Sequence, residues 1–197
     1  MSRIHLVRHA THDRVGTILC GRMPGVRLGP AGHAEAAALA DALAGSGATT
    51  VLSSPRERAL ETAGPIADRL GLPVTIAPEL DEIDFGDWTG RSFADLDGDP
   101  DWTAWNTARA SARPPKGQGS SESMAEAGAR ALALLARQPE ACVAVSHGDV
   151  IRAVLLAILG LSTDAYDRLA VAPASINSLD LWPGGGRLVG LNRCVDA

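Results

Sequence analysis

The sequence predicts an α/β domain of three layers, with helices on both faces of a mostly parallel sheet. Short apolar runs rich in β-branched residues alternate along the chain with longer segments of helical period. Most strand-like runs are followed by a helix rather than by a tight turn, and in the last part of the chain two strands read as a closing hairpin. A length of 197 residues is enough for one core, so a single domain is expected over 1–197.

The elements follow in order. Residues 3–8 form a short apolar strand. Residues 30–44, "PAGHAEAAALADALA", read as a helix with Pro30 at its first position and Gly29 as its cap. The β-branched run "ATTVLSS" at 48–54 is a strand. The next helix carries the best local signature: Ser54 as N-cap, Pro55 at the first position and Glu57 completing a capping box. Its apolar face is Ala59, Ala63, Ile66, Ala67 and Leu70, Gly71 ends it, and Pro65 predicts a kink. A strand near 73–77 precedes a turn-rich segment marked by Gly86 and Gly90. The Gly, Pro and Ser-rich run 108–123 reads as a surface loop, closing a lid-like insertion at about 88–122. An amphipathic helix at 123–137, a strand-turn in "ACVAVSHGD", a helix at 149–160 and a hairpin of 175–182 with 187–191 complete the chain.

Composition excludes several classes. A net charge of −5 argues against a nucleic-acid binder that works through a broad basic surface. Cys20, Cys142 and Cys194 are odd in number and far apart, which gives neither a zinc ribbon nor a disulfide framework. The first thirteen residues hold too short an apolar run for a signal peptide, and the longest apolar piece, 153–160, has the size of a core helix. A cytoplasmic protein with reduced thiols and no membrane partner is expected.

The chemistry lies at three strand ends. In "LVRHATH" the first strand runs out into Arg8 and His9. The second ends in Ser53 and Ser54, with Arg58 on the helix that follows. A later strand ends in "VSHGD", with His147 at a helix entrance. Open parallel sheets bind ligands beyond the carboxyl ends of their strands, where helix amides favour anions. Forked guanidinium groups suit phosphate oxygens, so the edge reads as a phosphate site with His9 as nucleophile. The bland alternatives are solvated strand ends, an Arg58 paired with Glu57 or Glu61, and a core role for His5. His5, His9 and His12 also invite a metal reading, but alternation places His12 on a loop beyond the strand.

Together "LVRHATH", "SSPRERALETA", "ELDEIDFGDWTG" and "VSHGDVIRAVL" resemble the histidine phosphatase superfamily, with its phosphoglycerate mutase-like fold. Each motif alone is weak; four in order over residues 3–182 are specific. The resemblance implies a phosphohistidine intermediate without metal or other cofactor. By position it makes His9 the phosphate acceptor, Arg8, Arg58 and His147 the groups that hold the phosphoryl, and Glu82 the proton donor. Gly21, Arg22 and Gly148 join the expected substrate-binding set. Asp81, Asp84 and Glu122 are rivals to Glu82 as acid.

The chain departs from the family pattern at Ala10, His12, Gly29 and Thr89, and His12 falls on the substrate side of the pocket. The expected function is hydrolysis of a small phosphate ester. A cofactor-dependent phosphomutase is the alternative, with Arg91, Arg109, Arg113 and Lys116 as candidates for a second phosphate clamp. A non-catalytic phospho-ligand binder is a third reading, although such a protein would be expected to lose His9 or Glu82. Trp88, Trp102 and Trp105 suit either a substrate wall or a small core of the insertion. The closing hairpin leaves a homodimer open.

Overall fold

The computed structural model describes residues 1–117 and 119–195. Position 118 of the expected loop and positions 196–197 of the expected domain lie outside the described residues. Six strands form one sheet: β1 (Ser2–Arg8), β2 (Thr50–Ser53), β3 (Val74–Ile76), β4 (Cys142–Ser146), β5 (Ile176–Trp182) and β6 (Gly185–Arg193), in the order β3-β2-β4-β1-β5-β6. The first four in that order are parallel; β5 adds antiparallel to β1, and β6 antiparallel to β5. The mostly parallel sheet and the closing hairpin of the sequence reading are both present.

Helix α1 (Pro30–Leu43) and α2 (Glu57–Leu70) cover one face of the sheet; α5 (Met124–Leu135) and α6 (Gly148–Leu159) cover the other. Two short helices, α3 (Phe93–Leu96) and α4 (Pro100–Thr107), lie between them in sequence. The layers follow from the two-residue period of the strands. Val7, Val143 and Val145 face Leu39, Leu43 and Ile66 on one side. Ile4, Leu6, Cys142 and Ala144 face Met124, Leu135 and Val154 on the other. Among the described residues no helix is long and apolar enough to cross a membrane.

One local reading needs correction. The capping box at Ser54 is not formed: α2 starts at Glu57, with Arg56 as its N-cap and no side-chain cap bond. The Ser54 hydroxyl is drawn instead to His147 and Asp81, and the Glu57 carboxylate accepts from the Gly25 amide. The true capping box is at α5, where Ser123 and Glu126 cap one another. Helix α2 runs on through Pro65 without a break. The segment at Gly86 and Gly90 is turn-rich as expected, with both glycines at positive φ, and two short helices follow it. Ser92 caps α3 and Asp99 caps α4, with Pro100 in the first turn.

Gly32 in the first turn of α1 lets that helix press on the loop after His9. A Cβ there would collide with the carbonyl oxygen of Thr11. That atom is backbone, so the loop itself must move. Gly32→Ala is expected to lower stability by about 1–3 kcal/mol, as overpacking does. An unchanged denaturant midpoint would show that the loop yields freely.

Candidate active site

The sheet brings the three sequence motifs to one edge. Arg8 is the last residue of β1, Ser53 ends β2 and Ser146 ends β4. Hydrogen bonds tie these ends beyond the regular ladder: the His9 amide donates to Ser146 O at 3.0 Å and the Ser54 amide to Val145 O at 2.9 Å. His147 then becomes the N-cap of α6, and Arg58 is the second residue of α2. His9, Arg58 and His147 are all buried, and a cavity of about 340 Å³ opens above them. Arg8, His9, Gly21, Arg58, Glu82 and Gly148 line it.

Hydrogen bonding fixes both imidazoles. His9 Nδ1 lies 2.9 Å from the carbonyl of Ala10, which can only accept, so Nδ1 carries the proton. His9 Nε2 therefore keeps its lone pair, and it accepts from Arg58 Nε at 3.2 Å. His147 is arranged the other way round. Its Nδ1 is 3.1 Å from Arg58 Nη2, an obligate donor, so Nε2–H donates to Ser54 Oγ at 2.7 Å. Ser54 Oγ donates onward to Asp81, whose carboxylate is held by both arms of Arg56. His147 sits behind Arg58 rather than in the cavity wall.

The arginines are enclosed but not saturated. Arg8 Nη1 donates to Val171 O and Arg58 Nη2 to Gly21 O. Arg8 Nε and Arg58 Nη1 are buried and have no partner among the described residues. A buried guanidinium N–H left unpaired is costly, and an anionic oxygen in the cavity would satisfy it. The α6 N-terminus adds to the positive field at Gly148. A Cβ on that glycine would press within 3.3 Å of the Arg8 guanidinium.

Titration follows from this setting. Burial, then Arg58 and Arg8, push His9 well below the usual imidazole range. Burial, then Arg58 and His9, do the same to His147. Both rings are neutral at pH 7, as a nucleophile requires. Glu82 moves the opposite way: burial and the Asp149 carboxylate raise it to about 7, against the pull of Arg58. Asp149 stays low despite its own burial, because Arg109 and Arg152 both hold it. Of two neighbouring carboxyl groups, one is therefore poised to carry a proton and the other is kept ionised. Glu82 Oε2 lies 3.8 Å from His147 Nδ1.

Not every expected residue reaches the cavity. Arg22 does not line it; its Nε donates to the carbonyl of Glu82 and its Nη2 to Glu122, so it braces the loop that presents Glu82. Glu122 is clamped by Arg22 and Arg130 together, outside the cavity wall. His5 bonds Ser178 on β5. The tryptophans divide: Trp88 and Trp105 are buried in the core, whereas Trp102 lines the cavity.

Several lining residues carried little sequence signal. Trp102 and Asn106 lie one turn apart on α4, and Tyr166 comes from the 3₁₀ turn after α6. Arg152 stands one turn beyond Gly148, within "VSHGDVIRAVL", and nothing in the sequence analysis singled it out. Asp149, in the first turn of α6, binds Arg109 at 2.8 Å and Arg152 at 2.9 Å. Among the described residues no group of three or more His, Cys, Asp or Glu is placed to hold a metal ion.

Comparison with known proteins agrees with this arrangement. The sequence model of the histidine phosphatase superfamily (branch 1) matches residues 4–193. An uncharacterised protein of Mycobacterium tuberculosis is 49% identical over 82 residues, covering 41% of this chain and 40% of that protein. The match thus spans about two fifths of that relative's length. A glucosyl-3-phosphoglycerate phosphatase of Mycolicibacterium vanbaalenii is 32% identical over 180 residues, 83% of this chain and 77% of that protein. The structure of a mycobacterial glucosyl-3-phosphoglycerate phosphatase complexed with VO3 superimposes with a TM-score of 0.85 at 29% identity, over 98% of this chain and all of that one.

Proposed function

Because the chain belongs to the histidine phosphatase superfamily, we propose that it hydrolyses a small phosphate monoester through a phosphohistidine on His9, without a metal. The observation that carries this reading is the state of His9. Its Nδ1 proton is held by the Ala10 carbonyl, and its Nε2 lone pair faces Arg58 in a cavity with two unpartnered guanidinium N–H groups. Phosphoryl transfer asks mainly for alignment and for charge at the equatorial oxygens. Arg8 and Arg58 supply that charge, backed by the α6 N-terminus.

His9 Nε2 attacks phosphorus while the P–O bond to the alcohol breaks, and Glu82 gives its proton to the leaving oxygen. Glu82, now a carboxylate, takes a proton from water. That water attacks phosphorus, the P–N bond breaks, and the electron pair returns to Nε2. A bound phosphate dianion favours a proton on His147 Nδ1, which would turn that ring toward the same charge as a donor.

Segment 88–122 is the wall on the leaving-group side, through Phe93, Trp102 and Asn106, with Tyr166 beside Asn106. Hydrolysis is favoured over mutase chemistry because three of the insertion's four cations, all but Lys116, are already engaged. Arg91 binds Asp99, Arg109 binds Asp149 and Arg113 binds Glu126. That leaves little for a second phosphate.

The purified chain is expected to release phosphate from p-nitrophenyl phosphate equally with and without EDTA, and to be inhibited by vanadate, which imitates five-coordinate phosphorus. Loss of activity in EDTA with recovery on adding zinc or manganese would overturn the metal-independent reading. Incubation with 3-phosphoglycerate, with and without 2,3-bisphosphoglycerate, separates the alternatives. Phosphate release should outpace formation of 2-phosphoglycerate; the reverse order would establish the mutase.

A further inference from the structure

His12 is the residue at which the chain departs furthest from the resemblance in its first motif, and the structure does not leave it on a loose loop. It is buried, and its backbone forms an isolated bridge with Leu28. Its ring centroid stands 5.3 Å from that of His9, and His147 stands 5.2 Å from His9. The nucleophile is thus flanked by two imidazoles, and His12 is the one that lines the cavity.

Its hydrogen bonding settles which ring nitrogen carries the proton. The amide of Arg14 donates to His12 Nδ1 at 3.2 Å, so Nδ1 is an acceptor and the ring proton resides on Nε2. No group among the described residues accepts from that Nε2–H. We propose that His12 is a substrate-binding residue whose Nε2–H donates to an oxygen of the phosphoryl group carried over His9. The inference rests on the reading of this cavity as a phosphate site.

The chemistry of the neighbourhood fits a neutral donor. Burial, then Arg58, lower His12 to about 4, with Arg8 and Arg14 acting in the same direction and Asp13 against them. A third full positive charge beside Arg8 and Arg58 would cost repulsion in the free protein. A neutral N–H adds a hydrogen bond to the anion without that repulsion.

Two substitutions separate contact from scaffold. In His12→Asn the amide oxygen can replace Nδ1 as acceptor for the Arg14 amide, but nothing reaches as far as Nε2. In His12→Gln the longer side chain places an amide N–H near the Nε2 position. Binding of inorganic phosphate, measured by calorimetry on the full chain, should weaken about tenfold or more in His12→Asn, the loss expected for a hydrogen bond to a charged group. His12→Gln should stay within about threefold of wild type. The KM for p-nitrophenyl phosphate should rise in parallel in the Asn variant. Wild-type affinity in His12→Asn, or an equal loss in both variants, overturns the proposal.

A ¹⁵N–¹H imidazole spectrum of the wild type tests it without mutation. The His12 Nε2–H resonance should be present and should shift on addition of phosphate; a resonance that phosphate leaves unmoved overturns the proposal. Turnover of p-nitrophenyl phosphate by the wild type tests the phosphatase reading separately. An active enzyme with an indifferent His12 would remove this inference alone. A protein that binds phosphate through His12 but turns nothing over would remove the catalytic reading alone.

Discussion

His9→Ala is expected to lower turnover by about 10³-fold or more while leaving the chain folded. The ring supplies a lone pair on Nε2, with its tautomer already fixed by the 2.9 Å bond from Nδ1 to Ala10 O. Water has no equivalent alignment, so the residual rate should be that of binding and charge alone. The fold should survive because the removed contacts are few: one carbonyl and one guanidinium N–H. Brief reaction of wild type with a ³²P-labelled ester, quenched at alkaline pH, should give an acid-labile phosphoprotein absent from the variant. Label on serine would redirect attention to Ser54, which is the nearest hydroxyl to His147. Undiminished turnover in the alanine variant would end the phosphohistidine reading.

The order in which these residues become legible follows the range of the interactions that place them. Arg8, His9, Arg58 and His147 sit at strand ends or one step into a helix, so apolar runs and turns in the sequence locate them locally. Their convergence needs only that β1, β2 and β4 be parallel neighbours, which an α/β pattern implies. Glu82 was harder, because its neighbours Asp81 and Asp84 are chemically equivalent on paper. The distinction is tertiary: Asp81 is held by Arg56, while Glu82 turns toward His147 and Arg58. Arg22 failed for the same reason, since nothing local says that its partners are Glu122 and the Glu82 carbonyl. The Ser54 capping box failed because a long-range bond to His147 outcompetes a local cap. Tyr166 and Asn106 meet over 60 residues of separation at 3.2 Å, and no periodicity encodes that.

Glu82→Gln is expected to act selectively on esters with poor leaving groups, lowering kcat by about 10²–10³-fold for an alkyl phosphate. An alkoxide cannot depart without a proton, whereas p-nitrophenolate can, so p-nitrophenyl phosphate should be hydrolysed nearly as fast by the variant. The pH profile carries the sign of the effect. Glu82 must be protonated to act as acid, and burial together with Asp149 raises it to about 7. Activity on the alkyl ester should therefore hold below about pH 7 and fall above it, as the carboxyl loses its proton. The substrate's own second ionisation shapes both enzymes' profiles equally, so the diagnostic is the difference between them. The alkaline fall should be present in wild type and absent from the glutamine variant. Asp149→Asn should shift that fall toward lower pH, because one of the two causes that raise Glu82 is removed while burial remains. Equal losses on both esters, with the alkaline limb intact, would mean that another group delivers the proton. Glu122 is poorly suited to that task where it stands, since Arg22 and Arg130 hold its two oxygens at 2.7–2.9 Å.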